Sequence, residues 1–339
     1  MKPDSFVFDI TPSAALTEVL DAAALFHSTA SHPAISPVDR FIANSNKLSI
    51  IYANSPFKEA LTPELGAVLL LGHVSAVESY MRGIIRGLVH IDEHTENLVS
   101  PKQLSYFAAS HHASELLPEA LLDSVSFSSA ASVALTLKEF CGITGMGNGG
   151  VPKELKPAFD RFGDICQLRH CCVHRFGLLG AGNAHKLRAS KNLIEKPLAL
   201  TVASLEDISS ILEKFVLSIN SYIYRDVLER SFTRSKLFTA DEGERQYETA
   251  WALNFTQDAQ RFTKYYNHFA VAAVSPASLN SQDSYAAFLK WMKDSLAVVA
   301  KANAAKAQQR AAKQKAPQQP TTPPPTVAAS VGGVSPDNV

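Results

Sequence analysis

Thr62-Pro63-Glu64 marks a helix start. A threonine caps the free N–H groups of a first turn, and proline fits the first helical position because its missing N–H does no harm there. From that start an apolar stripe runs at helical spacing through Ala67, Leu70, Leu71, Val74, Val77, Met81, Ile84, Ile85 and Leu88. A helix of that length with one apolar face needs partners to cover it. Gly66, Gly72, Gly83 and Gly87 weaken it, each by about 1 kcal/mol against alanine. Its strongest apolar run, residues 66–72, is too short to cross a bilayer.

Further helices are expected at 101–117, 118–140, 157–176 and 204–230, which makes the chain all-α. Residues 216–224 have strand-like composition, but the long flanking pattern favours helix. The division expected is a loosely organised segment at 1–60 and a helical domain at 61–231. A small aromatic-rich helical appendage at 232–300 and a disordered Lys/Gln/Pro-rich tail at 301–339 complete it. No internal repeat is present.

The formal charge is zero over 339 residues, but residues 301–339 carry five basic residues and one acid. The tail is therefore at about +4 and the body at about −4. A neutral chain has no global field to hold nucleic acid, so any such contact must be local. The opening MKPDSFVFDITPS has acids where a signal peptide needs positive charge. Four cysteines without paired spacing do not form a disulfide framework. These features point to a cytoplasmic protein without membrane contact.

Residues 165–177, ICQLRHCCVHRFG, concentrate the chemistry. On a helix, Phe159, Phe162, Ile165, Cys166, Cys172, Val173 and Phe176 form one apolar stripe with Arg169 in its middle. An arginine cannot shed its proton, so a stripe carrying one either lets it snorkel at the edge or lines a cleft or subunit interface. The Thr62 helix has the complementary oddity, Glu78 among Leu71, Val74, Met81 and Ile85. A structural salt bridge between Glu78 and Arg169 accounts for both charges equally well. His170 and His174 share one face, whereas Arg169 and His174 lie about 140° apart on an ideal helix. The latter pair can serve one ligand if the helix loosens before Gly177, or if the ligand lies in a groove.

Competing readings are weaker. Cys166, Cys171, Cys172, His170 and His174 lack the C-x2-C pairing of a zinc site. The cysteines fall on or near the apolar face, which suits packing rather than nucleophilic attack. The glycine runs at 145–150 and 177–182 lack the Gly-Lys-Ser/Thr ending of a phosphate loop. His73, His111 and His112 have no matching partners nearby and read as surface or satisfied core residues.

Arg169-x4-His174, with polar His170 after the arginine and Val173-His174-Arg175-x-Gly177 closing the run, resembles the signature of the HEPN superfamily. The helix bearing Ala76-Val77-Glu78-Ser79-Tyr80 is similar to that family's early helix, and the resemblance spans about 62–230. It implies an antiparallel HEPN-like helical bundle and a metal-independent endoribonuclease without cofactor, of the toxin or phage-defence kind. Arg169 and His174 then match the catalytic pair, His170 the polar position, and Glu78 an acid that holds them. The partners implied are an RNA substrate, a second copy of the chain in a homodimer, and an antitoxin or other defence-system protein. In such a site a histidine takes the 2′-hydroxyl proton, and the arginine fork binds the phosphorane. The alternative is a non-catalytic helical module that binds nucleotide or a partner protein.

Overall fold

The computed structural model describes residues 19–21, 23–26, 34–53, 61–111, 113, 116–147, 150–233, 236–238, 245–247, 251–275 and 277–315. The chain divides into two units, Met1–Ile35 and Ser36–Val339. In the first, a 3-10 turn at Ala23–Leu25 is capped by the Asp21 carboxylate, which accepts from the Ala23 N–H at 3.1 Å. The opening MKPDSFVFDITPS lies outside the described residues.

The second unit is mostly helical, as expected. In order it contains α1 (Pro37–Ala53), α2 (Pro63–Ile91), α3 (Glu93–Val99), α4 (Tyr106–His111), α5 (Leu117–Ala120), α6 (Ala130–Cys141), α7 (Lys156–Arg175) and α8 (Ala181–Leu187). Then follow α9 (Val202–Thr233), a two-stranded ribbon of β1 (Lys236–Phe238) and β2 (Arg245–Tyr247), α10 (Phe255–Phe269) and α11 (Ser281–Lys315). The strands pair antiparallel, with Leu237 opposite Gln246.

Helix α2 is the centre. Its start is the one marked in the sequence: the Thr62 hydroxyl accepts from the Leu65 N–H at 3.3 Å. Leu70, Val77, Met81, Ile84 and Leu88 are fully buried against α1, α6, α7, α9 and α10. The helix spans 29 residues, far more than the apolar run at 66–72, and has the length and composition of a membrane-crossing segment. Here that apolar surface forms the core of the bundle. From α9, Phe215, Val216, Ile219, Ile223 and Val227 face it, so the strand-like composition of 216–224 lies on a helix.

The glycines of α2 work as close-approach sites. A Cβ at Gly72 would touch Leu48 of α1 at 3.0 Å, and one at Gly83 would touch Pro37 at 3.2 Å. At Gly87 it would overlap the His268 ring of α10, 2.6 Å from Nδ1 and 2.8 Å from Nε2. Burial pushes the His268 pKa down to about 4, so the ring is neutral, and its Nε2–H donates to the Ile84 carbonyl at 3.0 Å. Gly87→Ala would gain about 1 kcal/mol on an open helix. Here it should instead destabilise the fold by about 1–3 kcal/mol, since the ring must leave and its hydrogen bond goes with it. A urea midpoint that rises would show that the ring yields freely.

Several boundaries differ from those expected. Helix α1 sits in the stretch expected to be loose, yet Val38, Phe41 and Ile42 belong to the main core. The helices expected at 101–117 and 118–140 are broken into α4, α5 and α6. Serines explain part of this: Ser126 Oγ and Ser128 Oγ bond each other at 2.7 Å, and Ser129 forms a capping box with Ser132 that starts α6 afresh. Helix α10 joins the core through Phe262, Tyr265 and Phe269, and Asn220 of α9 donates to the Phe269 carbonyl at 2.8 Å. Helix α11 continues to Lys315, fifteen residues into the tail expected to be disordered. Ala, Lys and Gln are strong helix formers, so the same composition supports either state. The proline-rich remainder lies outside the described residues.

A buried ionic cluster ties the far end together. Arg230 of α9 donates to Asp92 Oδ2 at 2.6 Å, to Thr95 Oγ1 at 3.1 Å and to the Cys141 carbonyl. Asp92 also caps α3, accepting from the Thr95 N–H at 2.9 Å. Asp92 and Arg230 are 4% and 9% exposed.

Candidate active site

Helix α7 carries the residues singled out in the sequence. Pro157 lies in its first turn, and it stays regular through Arg175. It then stops abruptly. Phe176 adopts φ 51°, Gly177 follows at φ 89°, and both conformations lie in the left-handed region favoured by glycine. The Gly177 N–H closes the end on the Cys171 carbonyl at 3.0 Å. Loosening before His174, one of the two routes to a shared ligand, is therefore not what the helix does.

One face of α7 is core. Phe162 stacks on Phe215 at 4.1 Å between ring centroids, and Phe159 meets the same ring edge-on at 5.2 Å. Ile165, Cys166 and Cys172 complete this buried face. The expected stripe fails at its end: Val173 is 47% and Phe176 85% exposed. The helix outruns its partners there, so an apolar position in the last turn no longer means a buried one. The Phe162–Cys166 segment, expected to meet a second chain, is instead packed inside its own bundle.

Arg169 and Glu78 are both half-buried, and among the described residues no ion pair joins them. Both charges act on the Cys166 thiol. Burial pushes its pKa up to about 12, with Arg169 pulling down and Glu78 pushing up. Burial likewise raises Cys172 to about 11 and Cys141 to about 12. These thiols stay protonated at neutral pH, which removes them as nucleophiles. Among the described residues no group of His, Cys, Asp and Glu is placed to hold a metal ion.

His170 and His174 come together. Both are exposed, with ring centroids 4.4 Å apart and planes inclined at 48°. The sequence did not point to the residue that orients His170. Asn183 of α8, only 7% exposed, brings its amide nitrogen to 3.3 Å from His170 Nδ1 and 3.2 Å from Gln167 Oε1. An amide nitrogen only donates, so His170 Nδ1 accepts and a neutral ring carries its proton on Nε2. Arg175 forms an ion pair with Glu195, which fastens the 177–198 loop to the helix end. Gly180 admits the arginine, since a Cβ there would stand 2.9 Å from its Nη1. The loop that reads as merely glycine-rich thus carries α8 and places Asn183.

His73 and His111 make their contacts elsewhere. His73 is buried, its Nδ1 lies 3.2 Å from Ser45 Oγ, and burial pushes its pKa down to about 4. Its Nε2 has no hydrogen-bond partner among the described residues, so it is a core histidine only half satisfied. His111 is exposed and stacks on Phe107 at 4.3 Å. His112 lies outside the described residues. The 145–150 run is a loop between α6 and α7, with residues 148–149 outside the described set.

No protein-family model, curated protein or solved structure matches this chain.

Proposed function

We propose that the chain is a metal-independent endoribonuclease with its site at the end of α7. The observation that carries the reading is the contact between exposed His170 and His174, with the first ring oriented by buried Asn183. General acid–base cleavage of RNA needs two proton carriers, and one turn of helix supplies both. His174 takes the 2′-hydroxyl proton, and the 2′-oxygen attacks the adjacent phosphorus. The bond from phosphorus to the 5′-oxygen breaks, and His170 in its doubly protonated form gives that oxygen its Nε2 proton, the Asn183 amide turning so that its oxygen accepts from Nδ1–H. The products are a 2′,3′-cyclic phosphate and a 5′-hydroxyl. Arg169 precedes His170 and binds the equatorial oxygens, while Glu78, whose charge acts on the same Cys166 thiol as that of Arg169, offsets the positive charge.

This extends the resemblance to HEPN ribonucleases, and with it the toxin or phage-defence role, the cytoplasmic setting and an antitoxin partner. A homodimer belongs to the proposal only through the exposed edge of His170, Val173, His174 and Phe176, since Phe162 and Cys166 face the core. One observation favours the second reading, a non-catalytic module for nucleotide or a partner protein. On an unbroken helix Arg169 and His174 stand about 140° apart, and among the described residues no hydrogen bond or ring contact joins them.

The test is RNA cleavage in excess EDTA. We expect cutting of single-stranded RNA with 2′,3′-cyclic ends. Activity that vanishes in chelator and returns with magnesium would overturn the mechanism, and binding without cleavage would select the second reading.

A further inference from the structure

A groove of about 710 Å³ runs along the N-terminal half of α7. Its walls carry Lys153, Lys156 and Arg161 on one side and Lys186 and Arg188 from α8 and its end on the other. Two acids, Asp160 and Asp164, also line it, and each pairs with a cation of its own helix: Asp160 with Lys156, and Asp164 with Arg161 at 3.7 Å. That leaves Lys153, Lys186 and Arg188 without an ion pair among the described residues, all three exposed. In a chain of zero net charge this is a local excess of three positive charges, drawn from separate segments onto one concavity. Arg188 is held there at φ 54°, in the left-handed region that favours glycine.

One residue, Gln167, links the groove to the histidines. It lines the groove and accepts from Asn183, whose amide also reaches His170. From Lys156 to His174 the helix advances about 27 Å, at 1.5 Å per residue. Ala130, Pro157 and Gly163 form part of the groove's lining, and its aromatic residue, Phe159, is turned into the core. The walls therefore offer charge to a phosphate chain and no exposed ring on which a base could stack.

We propose that this groove holds the sugar–phosphate backbone of single-stranded RNA and feeds it towards His170 and His174. The inference rests on the ribonuclease reading for its direction, and on the groove's own charge for its ligand. Binding is sequence-tolerant and salt-sensitive, because it proceeds by release of counterions from phosphates.

The experiment uses the full chain carrying His174→Ala, so that RNA is not consumed, and a short single-stranded RNA with a fluorescent end. Lys153→Ala, Lys186→Ala and Arg188→Ala are then added together. Affinity should fall at least about tenfold. The slope of log affinity against log salt should fall by about 2, at roughly 0.7 for each phosphate no longer neutralised. All three side chains are exposed, so the melting temperature should not move, and Lys186→Arg alone should bind as before. Unchanged affinity and slope in the triple variant would overturn the proposal. So would displacement of the RNA by an equal concentration of a free mononucleotide, which would mark a single-nucleotide pocket. Groove-dependent binding by a chain that never cuts RNA would support the groove and defeat the ribonuclease reading separately.

Discussion

The His174→Ala chain is expected to cleave RNA about 10²–10⁴-fold more slowly than the unmodified chain, the range typical for losing a positioned acid or base. His174 is exposed and lies in the last turn of α7, so the substitution opens no cavity and the thermal transition should stay put. Arg169→Ala should cause a comparable loss, and Arg169→Lys should not restore activity, because a point charge cannot reproduce the guanidinium fork. The pair of variants separates chemistry from folding. If both alanine variants cut at the original rate, the cleavage site is elsewhere. If cleavage and melting temperature fall together, Arg169 serves the fold rather than the phosphorane.

Arg230→Ala should destabilise the fold by about 3–5 kcal/mol, a large fraction of the stability of an ordinary domain. The loss comes mainly from what is left behind. Without the guanidinium, the Asp92 carboxylate keeps its bond to the Thr95 N–H but stays buried and unpaired, and the Cys141 carbonyl loses its donor. Asp92→Asn combined with Arg230→Met should therefore recover much of the loss, since neither side chain then carries a buried charge. Urea unfolding with an unchanged slope would measure both effects. A single-variant loss below about 1 kcal/mol would mean that water reaches this cluster.

Periodicity and stop signals make α2, α7 and α9 legible from the sequence alone. Thr62-Pro63, Pro157 and Gly177 mark real ends, and the apolar positions of α2 are those that pack. A stripe names a face, however, and does not say how far along the helix a partner extends. Val173 and Phe176 continue the stripe yet stand in solvent for that reason. Arg169, His170, His174 and Glu78 can be picked out as chemistry in unusual surroundings. The tie between His170 and Asn183 cannot, because it depends on how a loop folds back thirteen residues later. Asp92 and Arg230 are separated by 138 residues and carry no local pattern. The cations of the groove belong to segments that look like ordinary solvated faces until the fold assembles them.

The central position of α2 also has a consequence in time. Its early partner, α1, is already made when residue 91 leaves the ribosome, but α7, α9 and α10 are not, and α10 ends only at residue 269. At about 5–20 residues per second, that stretch takes roughly 10–35 s to synthesise. During that interval a helix with the length and apolarity of a membrane span gains its later partners only one after another. The newborn chain is thus most exposed to aggregation early and for long, and its safe completion depends on how quickly its second half follows its first.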